Sequence, residues 1–97
     1  MSEAVTIILA GGGTGGHLYP GIAVAEELQT VPCAAQCVFL CTTREIDRVI
    51  LQPSGFEFIP QPIVPPRGAD ILKFFFTYRD TRKLVNRILR QRRPAAV

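Results

Sequence analysis

Five glycines within six positions, in the run Ala10-Gly11-Gly12-Gly13-Thr14-Gly15-Gly16-His17, constrain this chain more than anything else in it. An apolar run, Val5-Thr6-Ile7-Ile8-Leu9-Ala10, leads into the glycines, and a helical pattern over residues 18–29 leaves them. Strand, glycine loop and helix are the opening half of a phosphate-binding βαβ unit. Glycine lacks Cβ, so it takes positive φ and lets the backbone approach a ligand closely. The loop N–H groups, backed by a helix N-terminus, make an anion site. Thr14 adds a hydroxyl donor and His17 a titratable imidazole at the loop mouth. Gly11, Gly13 and Gly16 also satisfy the weak pattern G-x-G-x-x-G, which gains meaning here from the strand before it and the helix after it. The bland alternatives are a ligand-free strand-to-helix turn and, for His17, a residue that merely ends a helix.

The rest of the chain repeats the alternation. Leu18, Ile22, Ala25 and Leu28 recur at helical spacing and are expected to face a sheet, with Glu26, Glu27 and Gln29 in water and Ala23 and Ala25 allowing close packing. Pro20 is acceptable in a first helical turn. Thr30-Val31-Pro32 ends this helix. Residues 36–41 read as a second strand, followed by a helix over 44–51 capped by Thr42 or Thr43, with Ile46, Val49 and Ile50 as its buried stripe. Pro53-Ser54-Gly55 closes it. Residues 56–60 read as a third strand. Pro60, Pro62, Pro65 and Pro66 form a stiff link ending in the turn Arg67-Gly68. Asp70 is the expected N-cap of a long helix to Arg92, Pro94 stops it, and residues 95–97 begin a fourth strand. Met1 to Ala4 read as a frayed end. The order β-α-β-α-β-α-(β) implies an α/β fold, a Rossmann-like doubly wound parallel sheet.

Composition narrows the function. At 97 residues, 47% hydrophobic and 20% charged, the chain is one small globular domain at most. It has no run of 18 apolar residues, and its N-terminal apolar run lacks the basic flank of a signal peptide. Cys33, Cys37 and Cys41 form no C-x-x-C pair and read as reduced thiols rather than metal ligands; no metal-ligand cluster is visible, and no cofactor is expected. Charge is uneven. Residues 1–66 carry two arginines against six acids, a balance of −4; residues 67–97 carry nine Lys or Arg against Asp70 and Asp80, a balance of +7. A basic C-terminal third points to an anionic partner surface.

The long helix divides in two. Leu84, Val85, Ile88 and Leu89 supply a sheet-facing stripe. Earlier, Ile71, Leu72, Phe74, Phe75 and Phe76 are apolar on too many sides for one sheet face to cover, and Lys73 and Arg79 flank them. Exposed apolar residues beside cations suit the interface of an anionic bilayer, while packing under other parts of a longer chain is the alternative. Nucleic acid is disfavoured, because the aromatics cluster instead of alternating with the charges.

From Ile8 through the glycine run, Tyr19-Pro20 and Ala23-Val24-Ala25 to Leu28, and again at Pro66-Arg67-Gly68, the chain resembles the MurG-like enzymes of glycosyltransferase family 28. The resemblance implies two Rossmann-like domains around a cleft (the GT-B arrangement), of which residues 1–97 are a partial N-terminal, acceptor-binding one, with the UDP-sugar-binding domain absent. It implies transfer of N-acetylglucosamine from UDP-N-acetylglucosamine to an undecaprenyl-diphosphate-linked muramoyl-peptide in peptidoglycan synthesis. It implies an acceptor-diphosphate site at Gly12, Gly13, Thr14, Gly15 and Gly16. His17 becomes the candidate general base or a diphosphate contact, since a sugar hydroxyl is a poor nucleophile near neutral pH. It also implies a membrane patch at Ile71, Leu72, Lys73, Phe75, Phe76 and Arg79 and a peripheral position on the cytoplasmic face of the membrane. The piece alone is expected to be inactive. Two rivals remain: the membrane-side binding subunit of a split lipid-linked transferase, and an NADP-binding module in which Arg44 meets the 2′-phosphate.

Overall fold

The strand Val5–Ala10 (β1) sits at the centre of the architecture, and a computed structural model describes it within residues 5–31, 35–62 and 71–97. The expectations placed on residues 1–4, on Cys33, on Pro65 to Gly68 and on the Asp70 cap lie outside the described residues. In chain order, β1 is followed by α1 (Gly15–Leu28), β2 (Ala35–Thr42), α2 (Glu45–Ser54), β3 (Glu57–Gln61) and α3 (Ile71–Arg92). The three strands are parallel in the order β1-β2-β3, in register Leu9↔Phe39 and Leu40↔Ile59.

Strand side chains alternate between faces, so the sheet has two cores. Leu9, Cys37, Phe39 and Cys41 point to one face and pack with Leu18 and Ala25 of α1 and Ile50 and Leu51 of α2. Ile8 and Leu40 point to the other and pack with Ile88 of α3, joined by Leu84 and Val85. Helices therefore cover both faces: α1 and α2 one, α3 the other. The chain returns from α3 to the far side of β1, where Ala95 N–H donates to Thr6 O (2.8 Å) and Ile8 N–H donates to Ala96 O (3.0 Å) in a parallel bridge. The winding thus reverses at β1. In open α/β sheets such a reversal opens the ligand crevice at the carboxyl ends of the strands, and the glycine loop leaves from that end.

This is the α/β Rossmann-like, doubly wound arrangement that the alternation implies, with several local differences. Helix α1 begins at Gly15, earlier than residue 18, because the glycines themselves take helical conformation in its first turn. Ala23 is exposed; the close approach to the sheet is made by Ala25 and by Gly21, where a Cβ would stand 3.1 Å from the Phe39 ring. In α2, Ile46 and Val49 are exposed and the buried face is Asp47, Ile50 and Leu51. Neither threonine caps α2: the N-cap is Arg44, with no side-chain cap bond, and Thr42 Oγ1 accepts from Arg44 N–H at 3.1 Å just before the helix. Leu89 lies at the margin of the α3 stripe, 36% exposed, while Ile88 is buried. Gly55 closes α2 at φ 80°, as a left-handed C-cap should.

Helix α3 is longer than the strands it covers. Its 22 residues span about 33 Å, against about 20 Å for a six-residue strand such as β1. Arg92 at its end pairs with Glu57 at the start of β3, and Ile88 packs on Ile8 and Leu40. The first turns of α3 consequently overhang the carboxyl end of the sheet, the end that carries the glycine loop. There Ile71, Leu72, Phe75, Phe76 and Tyr78 are exposed, Phe75 at 63% and Phe76 at 57%, beside exposed Lys73 and Arg79.

Candidate functional site

The loop is built from both sides. Gly11 N–H donates to Leu40 O at 2.9 Å, which continues the β1–β2 ladder one residue past the strand. The chain then turns through Gly12 (φ 150°) and Gly13 (φ 88°), two conformations that side-chain-bearing residues rarely adopt. At Gly12 a Cβ would collide with the Asp47 carboxylate and stand 3.1 Å from Thr42 N; at Gly13 a Cβ would meet open space. Gly12 is thus required by close approach as well as by dihedral angle, and Gly13 by dihedral angle alone.

Asp47 is a site residue that the sequence pattern did not single out. It sits at the third position of α2 with 0% exposure and holds three short hydrogen bonds. Gly13 N–H donates to Oδ1 at 2.8 Å, Thr42 N–H to Oδ2 at 2.7 Å and Thr42 Oγ1–H to Oδ2 at 2.6 Å. Burial alone would raise its pKa, but the donors from Thr42 and Gly13 and the charge of Arg44 outweigh that and hold it below the ordinary carboxylate value. The N-terminal end of α2 acts in the same sense. Arg44 Nη1 donates to Gly13 O at 3.0 Å, so the second βα unit grips the loop by both an N–H and a C=O of one glycine. The threonine-to-acid spacing of a reach-back cap pairs Thr42 with Glu45, not with Asp47, so local capping patterns do not mark Asp47 either. The all-apolar spacing of Ile46, Val49 and Ile50 concealed it.

Helix α1 begins directly beyond. Thr14 is its N-cap in extended conformation (φ −145°, ψ 155°), and the Thr14 hydroxyl makes no cap bond. The N–H groups of Thr14, Gly15 and Gly16 have no acceptor among the described residues, as expected at a helix start. They form a cluster of donors at a positive helix end. The small cavity between Gly11, His17, Gly21 and Phe39 has a volume of about 80 Å³, too small for a sugar, so a ligand would lie over the open side of the loop.

His17 is exposed, immediately after this donor cluster, and its Nδ1 lies 3.2 Å from Gly12 O. A carbonyl only accepts, so the bond requires the proton on Nδ1; in the neutral ring Nε2 then carries the lone pair. Of the sequence-derived site, Gly12 to Gly16 and His17 are therefore brought together, with the Gly13 N–H committed to Asp47. The α3 group lies on the overhang. Among the described residues no cluster of His, Cys, Asp or Glu could hold a metal, and no helix is long and apolar enough to cross a membrane. Cys37 and Cys41 are buried in the α1/α2 core; burial and then the charge of Asp47 push the Cys41 thiol up to about 11.

A parallel sheet wound on both faces, with an unpartnered amide cluster just beyond the carboxyl end of β1, defines a Rossmann-like α/β domain. The chain belongs to glycosyltransferase family 28: the profile of that family's N-terminal domain matches residues 7–97. Among curated proteins it is 39% identical over 98 residues to the UDP-N-acetylglucosamine–N-acetylmuramyl-(pentapeptide) pyrophosphoryl-undecaprenol N-acetylglucosamine transferase of Pelobacter propionicus, covering 94% of this chain and 25% of that protein. Proteins of the same name in Geobacter sulfurreducens and Fusobacterium nucleatum are 36% and 30% identical, over 94% and 100% of this chain and 26% of each relative. The chain thus spans about a quarter of the length of these relatives. No solved structure matches it. These matches favour neither the split-subunit nor the NADP reading.

Proposed function

We propose that this chain is the acceptor-side, N-terminal part of an inverting glycosyltransferase. The enzyme moves N-acetylglucosamine from its UDP donor to the muramoyl sugar of an undecaprenyl-diphosphate-linked peptide, in peptidoglycan synthesis. Membership of family 28 over residues 7–97 carries the reading, and the relatives' shared name supplies the donor and the acceptor. The donor would be held by a second domain outside these 97 residues.

The loop chemistry supports the acceptor half. The amides of Thr14, Gly15 and Gly16 at the start of α1 would bind the acceptor diphosphate, with Gly12 and Gly13 shaping the turn. His17 would contact the diphosphate only with Nε2 also protonated and donating; neutral, with its proton on Nδ1, it would present the Nε2 lone pair to the acceptor hydroxyl. As base it would take the hydroxyl proton while the oxygen attacks the anomeric carbon and UDP leaves. The exposed group Ile71, Leu72, Phe75 and Phe76, with Lys73 and Arg79, overhangs the same end and would dock on an anionic bilayer. The enzyme would then sit on the cytoplasmic face of the membrane that holds its lipid substrate.

Vesicle co-sedimentation tests the docking. The protein binds anionic vesicles, weakening as salt rises, and Phe75→Ser/Phe76→Ser weakens binding at every salt concentration while the fold survives. Normal binding by the double variant, or its failure to fold, refutes the membrane assignment. In an active enzyme containing this chain, His17→Ala lowers kcat by roughly 10²-fold if His17 is the base. An unchanged rate leaves it a diphosphate contact or a helix-terminus residue.

A further inference from the structure

The binding loop is shaped by a buried acid that lies 34 residues away in sequence. Asp47 lies directly beneath Gly12, where a Cβ would strike its carboxylate, and it takes the Gly13 N–H. We propose that Asp47 is the positioning residue of the glycine loop: its carboxylate orients Gly12 and Gly13 so that the amides of Thr14, Gly15 and Gly16 stay unpartnered and aligned for an anion. The proposal rests on the reading of this loop as a diphosphate site.

Three observations carry it. First, the carboxylate is fully buried and takes three donors from the protein, from Gly13 and from both the N–H and the hydroxyl of Thr42, so it is not aimed at solvent. Second, Arg44 bonds Gly13 O, so one peptide on each side of Gly13 is fixed by the same helix end. Third, without an acceptor the Gly13 N–H would be left unpaired in a part-buried position, and the loop would turn to recover a partner. The groups facing Asp47 from its surroundings are Thr42 and the neutral Cys41 thiol from β2, Gly12 and Gly13 from the loop, and Arg44 from its own helix. His17 reaches Gly12 O from the α1 side; Glu45 and Arg48 pair with each other on the outer face of α2. No second acid among the described residues shares the site, so Asp47 stays ionised at neutral pH, consistent with its depressed pKa.

A carboxylate beneath an anion site has an opposing effect, because it repels the phosphate. Neutralising it therefore separates the two roles. Amide NMR of the 97-residue chain in phosphate-free buffer gives the test, with Asp47→Asn as the variant and inorganic pyrophosphate as the probe. In the wild type the Gly13 and Thr42 amide shifts titrate together, with a midpoint below the ordinary carboxylate range. In Asp47→Asn that titration is gone and the amides of residues 11–16 move, while those of β3 and the second half of α3 do not. Pyrophosphate then binds the variant about tenfold more weakly, a change that lost stability alone would not produce in the folded fraction. Loop amides that stay in place in a folded Asp47→Asn, or equal or tighter pyrophosphate binding, overturn the proposal. Where the variant does not fold, the wild-type titration decides: Gly13 and Thr42 amides that do not follow a common low midpoint overturn it. Loop amides of the wild type that ignore pyrophosphate altogether refute the diphosphate reading instead, with the titration and the Asp47→Asn shifts still deciding whether Asp47 shapes the loop.

Discussion

Adjacent glycines in the loop should differ sharply in what an added methyl group costs. Gly13→Ala places a Cβ in open space at φ 88°, so the cost is backbone strain alone, about 1–2 kcal/mol. Gly12→Ala incurs comparable strain at φ 150°, and its Cβ also collides with the Asp47 carboxylate and stands 3.1 Å from Thr42 N. Thr42 N belongs to β2 and cannot retreat without breaking the ladder, so the carboxylate must move. Losing about one charge-assisted hydrogen bond adds roughly 1.5–3 kcal/mol. The two variants should therefore differ by about 1.5–3 kcal/mol, or roughly 6–24 °C in Tm for a domain of this size. Thermal unfolding followed by circular dichroism measures the gap. A double-mutant cycle sharpens it: in an Asp47→Ala background the obstruction is gone, and Gly12→Ala should cost only its strain. Equal Tm shifts for the two glycine variants, or additivity in the cycle, would refute the argument that Gly12 is there to make room for Asp47.

Because its folded pKa is depressed, Asp47 contributes stability that is present above the ordinary carboxylate range and lost as pH falls through the folded value; acid unfolding of Asp47→Asn should be correspondingly flatter over that window. Ile88→Ala should destabilise by about 2–5 kcal/mol in urea unfolding, since Ile88 is the buried α3 residue between Ile8 and Leu40, whereas Leu89→Ala beside it should cost far less. In a Cys33→Ser variant at pH 8, a thiol reagent should modify Cys37 and Cys41 slowly in the native protein and rapidly in denaturant, because burial pushes both thiols up. Mixed with UDP-N-acetylglucosamine and the lipid-linked acceptor, the 97-residue chain alone should form no product, and measurable turnover would contradict the assignment of the donor site to another domain.

The layered fold was legible in the sequence because its signals are local. An apolar run ending in glycines, a helical stripe at Leu18, Ala25 and Leu28, and Gly55 as a left-handed cap each declare themselves within a few residues. The overhang of α3 was legible as an excess: Phe75 and Phe76 could not share the sheet face with Leu84, Val85 and Ile88, and they are exposed. The orientation of α2 was not. Its apolar residues define a stripe through Ile46, Val49 and Ile50, but the helix is rotated so that Asp47 faces inward with Ile50 and Leu51. The partners that Asp47 meets there, Gly13 and Thr42, lie outside α2 and leave no trace in its periodicity. The cap was misread for the same reason, since the Thr42 hydroxyl is drawn to Asp47 and the start of α2 passes to Arg44.

Because the loop is anchored across 34 residues, it has no shape of its own to inherit from the strand and helix that flank it. The glycines come before α2 in the chain, so the bonds from Asp47 and Arg44 that hold Gly13 exist only where α2 is docked beside the loop. A peptide ending before Asp47 would keep all five loop glycines, His17 and the whole recognisable motif, and would lack the geometry that makes the motif useful.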